Sequence, residues 1–145
     1  MRNAALLAIP LAVIFSSLSL LHAYWAMGGR WGTGYTVPTV HGQRSFDPGS
    51  GATWVVCGLL ALAALIVMGK ATWTGTDLVA AMLNIGVWGI AVVFLLRAFG
   101  NWRTFGFFKK VTGSPFARWD TWLYTPLCVL IALLAAGLAR MPRRP

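Results

Sequence analysis

Four long apolar segments constrain the fold of this chain more than any other feature of its sequence. They cover residues 4–27, 52–69, 78–96 and 122–139, and each holds 18 or more residues. As a helix rising about 1.5 Å per residue, such a segment spans roughly 27 Å, close to the hydrocarbon thickness of a bilayer. A transmembrane barrel would instead show segments of about 10 residues in which apolar and polar residues alternate. We therefore predict an all-α polytopic membrane protein with four transmembrane helices in a compact bundle.

The composition leaves little room for a soluble domain. Of the 145 residues, 58% are hydrophobic and 10% are charged, which differs from the balance of soluble domains. The first apolar segment is long for the core of a signal peptide, and no small-x-small cleavage site follows it. We therefore expect it to be a retained helix, and residues 1–145 to form one four-helix transmembrane domain.

The connections between the segments differ in length. Residues 28–53 and 97–121 are long loops of 26 and 25 residues, whereas residues 70–77 form a turn of 8. With four spans, both long loops leave from one end of the bundle, the loop face. Both chain termini and the short turn lie at the other end, the termini face. Ser114 can cap a helix with Pro115 at its first position, so we predict an interfacial helical segment at 115–121.

The basic residues bear on the orientation of the chain in the membrane. Five Lys and Arg lie on the termini face and seven on the loop face, so their number does not decide the orientation. Their density is higher on the termini face, which favours termini in the cytoplasm. We expect a multi-pass protein of the inner (plasma) membrane. The net charge of +9 would suggest nucleic acid for a soluble protein. Here the cations lie at helix ends, so we expect the lipid bilayer as partner and no nucleic acid.

Aromatic residues are concentrated at the loop face. Six of the eight Trp lie at or near it, more than an aromatic belt at the membrane interface requires. We therefore expect an aromatic and basic surface there, made of Trp25, Trp31, Trp102, Arg103, Phe108, Lys109, Arg118, Trp119 and Trp122.

Polar groups within the apolar segments point to a candidate site. An ionisable group at membrane depth costs several kcal/mol unless it is paired. His22 lies about one turn before the loop face, Arg97 ends the third segment there, and Asp120 precedes the fourth. With Tyr124 they form the predicted polar cluster of His22, Arg97, Asp120 and Tyr124. We expect Asp120 to neutralise Arg97 or Arg118.

The stretch from Phe116 to Cys128 carries two further signals. Phe116, Asp120, Tyr124 and Cys128 are spaced four apart, which places them along one side of a helix. Pro126 cannot donate a backbone hydrogen bond, which predicts a kink near that residue.

Other chemistry has weaker support. His22 and His41 are too few, and too poorly placed, to favour axial haem ligation, and no c-type attachment motif is present. Cys57 and Cys128 both fall near the loop face, so a disulfide and two free thiols both remain open. We predict no metal site, no cofactor and no catalytic residue, because no established motif for any of them occurs.

The chain resembles a known family through a series of motifs. In order these are HAYWAMGGRWG, VPTV, RSFDPG, LLRAFG and GFFKKVTGSPFARWDTWLYTPLC. They are similar to those of small bacterial integral membrane proteins that form a family of unknown function. The resemblance implies four membrane helices with the characteristic residues at the loop face: His22, Trp25, Gly28, Trp31, Arg97, Gly100, Phe108, Lys109, Phe116, Asp120, Tyr124 and Pro126. It implies no activity, substrate or cofactor.

Two functions remain after this reasoning. The first is a non-enzymatic accessory or interaction subunit that contacts other membrane protein subunits through its aromatic and basic loop face. The alternative is a membrane enzyme or carrier whose pocket of His22, Arg97, Asp120 and Tyr124 binds a small anionic or lipid-like ligand. A channel is not favoured, because no segment carries a continuous polar stripe along its length.

Overall fold

The computed structural model describes residues 2–37, 39–40, 43–44, 49–101 and 103–142. Over these ranges the chain is helical apart from its loops and one pair of two-residue strands. The elements, in chain order, are α1 (Arg2–Ala26), α2 (Thr33–Thr36), β1 (Thr39–Val40), β2 (Gln43–Arg44), α3 (Ser50–Thr72), α4 (Asp77–Phe99), α5 (Pro115–Trp119), a π-helical turn (Asp120–Tyr124) and α6 (Thr125–Arg140).

Four of these helical stretches are long and apolar enough to cross a membrane. They are Ala4–Ala26, Ser50–Thr72, Asp77–Phe99 and Pro115–Arg140. The all-α class and the four-helix architecture predicted from the sequence are confirmed. The fourth stretch runs without interruption through α5, the π turn and α6, so the predicted segment 115–121 is the first part of the long helix.

The bounds predicted from the apolar segments were too short for the three later helices. The stretches predicted at 52–69 and 78–96 extend to Ser50–Thr72 and Asp77–Phe99, and the fourth begins at Pro115 instead of residue 122. Apolar content ends where the chain reaches polar surroundings, but helical hydrogen bonding continues into the polar residues beyond it. The first helix ends at Ala26, one residue before the predicted end.

The bundle is built from two helical hairpins. Its most extensive contacts join α1 to α3 and α4 to α6, and smaller contacts between α3 and α4 and between α1 and α6 bring the hairpins together. The fully buried residues of the shared core include Leu11, Phe15, Val67, Ile131 and Leu138. This packing leaves the outward surfaces of the helices apolar.

The outward-facing residues favour a lipid environment. Leu20, Leu65 and Ile85 expose 70% or more of their surface. Helices that are apolar on every side belong in a membrane or in the core of a much larger protein. The four long stretches therefore have the surface expected of membrane spans.

The two long loops lie at the same end of the bundle. Residues 27–49 join α1 to α3 and contain α2 and the antiparallel pair β1 and β2, with Val40 opposite Gln43. Residues 100–114 join α4 to α5, and residues 73–76 form the short link between α3 and α4. Contacts between α2 and α5 join the first long loop to the start of the fourth long helix. Pro48, which with Gly49 suits the centre of a type II turn, lies outside the described residues.

Candidate functional site

Asp120 lies at the centre of the loop-face site. The Ser114 hydroxyl accepts a hydrogen bond of 3.1 Å from the Ala117 N–H, which starts α5 as the sequence predicted. One turn later the helix widens into the π turn, in which the Thr125 N–H donates to the Asp120 carbonyl. The departure from a regular α-helix at this point is a π turn, which ends at Tyr124, just before Pro126. The Asp120 side chain is fully buried.

Three donors of the chain surround the Asp120 carboxylate. The Arg97 guanidinium donates to one oxygen over 2.9 Å. The Lys109 ammonium and the Gly106 N–H donate to the other over 3.0 and 2.8 Å. Both oxygens are therefore occupied by charge-assisted bonds, which are stronger than those between neutral groups. We call these four residues the Asp120 cluster.

The predicted pairing of Asp120 with Arg97 is confirmed, whereas Arg118 lies exposed on the surface. The second cation, Lys109, was predicted only as part of the loop surface. Nothing in its spacing from Asp120 indicates a contact, because the two residues are joined by an irregular loop. The Gly106 N–H is equally invisible to side-chain patterns.

Arg97 makes two further contacts that bear on its role. Its guanidinium lies over the Phe105 ring at 4.4 Å from the centroid, a distance suited to a cation–π interaction. Its Nη1 atom is buried and has no hydrogen-bond partner among the described residues. The cluster also holds two cations against one carboxylate, which leaves it with one surplus positive charge.

The second loop is shaped so that its backbone can reach Asp120. Gly100 and Gly106 have φ of +84° and +86°, and a Cβ on either would collide with the backbone of the other. The side-chain oxygen of Asn101 accepts hydrogen bonds from the backbone N–H groups of residues 103, 104 and 105. The Phe107 N–H donates to the Ala98 carbonyl over 2.9 Å. These bonds fold the loop back onto the end of α4.

His22 has its contacts on α1. Its Nδ1 lies 2.7 Å from the Leu18 carbonyl oxygen, which requires a proton on that nitrogen. Its ring and the Trp25 ring make an edge-to-face contact with their centroids 5.0 Å apart. The nearby Ser19 hydroxyl donates to the Cys57 carbonyl on α3 over 2.9 Å. His22 therefore contacts its own helix, and its hydrogen bond is separate from those of the Asp120 cluster.

Tyr124 connects the fourth helix to the first loop. Its hydroxyl donates to the Tyr35 carbonyl over 3.3 Å, and its ring packs against Phe116 at 6.0 Å. The Tyr35 ring in turn faces Trp119 at 6.2 Å. These contacts fasten the first loop to the segment that carries Asp120.

The surface outside the cluster is aromatic and basic. Among the residues predicted for it, Trp31, Arg103, Phe108, Arg118, Trp119 and Trp122 are exposed, while Trp25 and Lys109 are partly covered. Trp102 lies outside the described residues. A cleft of about 580 Å³ opens on this surface, lined by Tyr35, Gly113, Pro115, Arg118, Trp119 and Trp122. We call this set of exposed residues and its cleft the loop-face surface.

The remaining candidates can be placed briefly. Cys57 and Cys128 are free thiols, which decides between the two states that the sequence left open. In the described part of the chain, no three His, Cys, Asp or Glu residues come together as a metal site would require. His41, the second residue of the haem hypothesis, falls outside that part.

Comparison with known proteins agrees with the motif resemblance. No curated protein and no solved structure matches the chain significantly. One family model matches residues 15–135, a range that contains the Asp120 cluster, His22 and Tyr124. Since this match covers well over half of the 145 residues, the chain belongs to the family described as "Protein of unknown function (DUF3995)".

Proposed function

We propose that this chain is an integral protein of the bacterial inner (plasma) membrane that acts as a non-enzymatic accessory or interaction subunit through its loop-face surface. The observation that carries the proposal is the state of Asp120. Its carboxylate is fully buried and accepts from Arg97, Lys109 and Gly106. A carboxylate that is fully buried and bonded to three donors of its own chain stabilises the fold and is shielded from a substrate.

The contacts of the other polar candidates also support a structural role. The Arg97 side chain lies between Asp120 and the Phe105 ring, and Tyr124 donates to a backbone carbonyl of the first loop. Each of these interactions joins two segments of the loop face. Their combined effect is to hold both long loops in a fixed position above the helices.

The loop-face surface has the residue types of a docking site. Trp and Arg contribute most to binding at protein interfaces, because they combine a large apolar area with hydrogen bonding. Trp31 and Trp119 expose 75% and 47% of their surface, and Arg118 is exposed beside Trp119. A surface held rigid before binding loses less conformational entropy in a complex.

The charge of the loop face indicates the partner's chemistry. In the sequence, this face has seven Lys and Arg residues and two carboxylates, Asp47 and Asp120. The Asp120 carboxylate is buried. The complementary partner is a membrane protein subunit that presents acidic side chains beside apolar ones at the same interface. With the termini in the cytoplasm, this contact takes place on the outer side of the membrane.

The test is partner retention at natural expression levels. The full chain is extracted in mild detergent and examined by native mass spectrometry for a protein bound at fixed stoichiometry. The double substitution Arg118→Glu and Trp119→Ala should abolish that complex. Trp73→Ala should leave it intact, because Trp73 is similarly exposed at the termini face. Retention of the complex by a folded Arg118/Trp119 variant would refute the proposal.

A second candidate is the enzyme or carrier with a polar pocket. It is favoured by one observation, the surplus positive charge of the cluster together with the unpartnered Nη1 of Arg97. An anionic group could supply the missing acceptor there. This reading requires a small molecule that co-purifies with the chain and is lost on Arg97→Lys while the helical content stays unchanged.

A further inference from the structure

A second cleft lies at the termini face, away from the Asp120 cluster. It has a volume of about 340 Å³ and opens where the ends of α3, α4 and α6 meet. This volume is at the lower end of the range of small-molecule sites. Its lining includes the polar residues Lys70, Asp77 and Asn84 and the small residues Ala80, Ala81 and Ala139.

Two polar groups of this cleft have unused hydrogen-bonding capacity. The Asn84 side-chain oxygen is buried and has no partner among the described residues. The Lys70 ammonium has three donors, and its hydrogen bond within the described chain is a long one of 3.4 Å to the Met141 carbonyl. An unpaired polar atom is costly in an apolar environment. A ligand that brings an anion to Lys70 and a donor to Asn84 would relieve both.

The positions of Lys70 and Asn84 along their helices indicate how deep each residue lies in the membrane. Lys70 is two residues before the end of α3, about 3 Å from it. Asn84 is seven residues after the start of α4, about 10 Å from it. At the level of the backbone, Asn84 therefore lies roughly 7 Å deeper than Lys70, which places the anion of the ligand nearer the membrane surface than its donor.

A monoacyl glycerol phosphate has its groups in this order. Its phosphate lies at the interface, its free glycerol hydroxyl lies next toward the hydrocarbon, and its single acyl chain follows. The diacyl form carries an ester at the hydroxyl position. Because an ester can only accept hydrogen bonds, it would leave the Asn84 oxygen unpaired.

The surroundings of the cleft suit such a lipid. Its walls are mainly apolar and include the small residues Ala80, Ala81 and Ala139, which leave space for an acyl chain. Arg140 lies at the same end of the bundle, with its guanidinium 5.3 Å from the Trp88 ring centroid. Arg140 does not line the cleft, and the charged residues that do are Lys70 and Asp77, so the phosphate approaches the cleft on the Lys70 side.

We propose that the cleft at the termini face binds a monoacyl glycerophospholipid, with its phosphate on the Lys70 ammonium and its free glycerol hydroxyl donating to the Asn84 side-chain oxygen. The site rests on the proposed membrane placement of the chain. It does not depend on partner binding at the loop face.

The test measures the affinity of three ligands for the purified full chain in detergent micelles. They are 1-acyl-glycerol 3-phosphate, the diacyl phosphatidic acid with the same acyl chain, and glycerol 3-phosphate without a chain. Native mass spectrometry should show at least about tenfold tighter binding of the monoacyl lipid than of either other ligand.

Two substitutions separate the roles of the polar groups. Lys70→Met should weaken binding of the monoacyl lipid at least about tenfold. Asn84→Leu should remove the preference for the monoacyl over the diacyl lipid. Lys110→Met provides the matched control, because Lys110 is an exposed lysine of the loop face and its loss should change neither quantity.

Each contrary result overturns the proposal. Equal affinity for the monoacyl and diacyl lipids would refute the role of the hydroxyl, and equal affinity for glycerol 3-phosphate would make the ligand a soluble one. Unchanged binding by Lys70→Met, or by Lys70→Gln if the Met variant does not fold, would refute the phosphate site. Partner retention at the loop face is measured separately, so failure here leaves that result unaffected.

Discussion

The substitution Asp120→Asn tests whether the buried carboxylate holds the loop face together. The asparagine has nearly the same shape, but it removes the charge and replaces one acceptor oxygen with a donor group. Arg97 and Lys109, whose nitrogens lie 2.9 and 3.0 Å from the carboxylate, would then meet without a counter-charge. The Gly106 N–H would compete with them for one remaining oxygen.

The expected loss can be estimated from this geometry. Removing one partner of a buried ion pair costs about 3–5 kcal/mol. Arg97 keeps 30% of its side chain exposed and can be partly rehydrated, whereas Lys109 keeps 7%. We therefore expect the free energy of unfolding to fall by about 3 kcal/mol, the lower end of that range. The single change Lys109→Met leaves the Arg97–Asp120 pair in place and should cost about 1.5–3 kcal/mol.

The double variant provides the decisive measurement. Since Lys109→Met removes the cation that Asp120→Asn leaves unpaired, the two losses should be less than additive by at least about 1 kcal/mol. Unfolding is followed in mixed micelles by tryptophan fluorescence, and far-UV circular dichroism checks the helical content. Lys110→Met is the matched control and should change stability by less than about 0.5 kcal/mol, because Lys110 is exposed. A loss below about 1 kcal/mol for Asp120→Asn, or strict additivity, would refute the reasoning.

The remaining predictions concern the second loop. Gly106→Ala should destabilise the chain by about 2 kcal/mol or more and speed proteolysis of this loop, because a side chain at φ +86° meets the Gly100 backbone; Gly113→Ala, which faces open space, should not. Ser114→Ala should cost about 1 kcal/mol in the same unfolding assay, since it removes the cap on the Ala117 N–H. Thr112→Cys, made in a background without native cysteines, should react with an impermeant maleimide on intact cells, because Thr112 is exposed at the loop face. Labelling only after the membrane is opened would place the loop face inside.

Much of the fold could be predicted because its cause is local composition. An apolar segment of about 20 residues has few alternatives to a membrane helix, so the four helices and their order follow from the sequence alone. The exact bounds do not, because the first and last turns contain polar residues such as Lys70 and Asp77 that a hydropathy argument excludes.

The candidate site was only partly predictable. The Asp120 pairing with Arg97 follows from the cost of a lone charge at membrane depth. Lys109 and the Gly106 amide approach Asp120 through the path of an irregular loop, for which the sequence has no periodicity. His22 was placed with the cluster because of its depth alone. Depth does not specify direction around a helix axis, and its ring bonds to the Leu18 carbonyl.

The π turn has a consequence for the angular positions of residues on the fourth helix. Within α6 the buried positions recur every three or four residues, through Cys128, Ile131, Ala135 and Leu138. From Asp120 to Thr125, both buried, the step is five residues. One extra residue rotates the two halves by about 100° relative to each other. The part of the helix before the π turn therefore directs Asp120 into the protein, and the part after it directs its buried residues toward α4. An uninterrupted α-helix would have turned one of these two sets away from the protein.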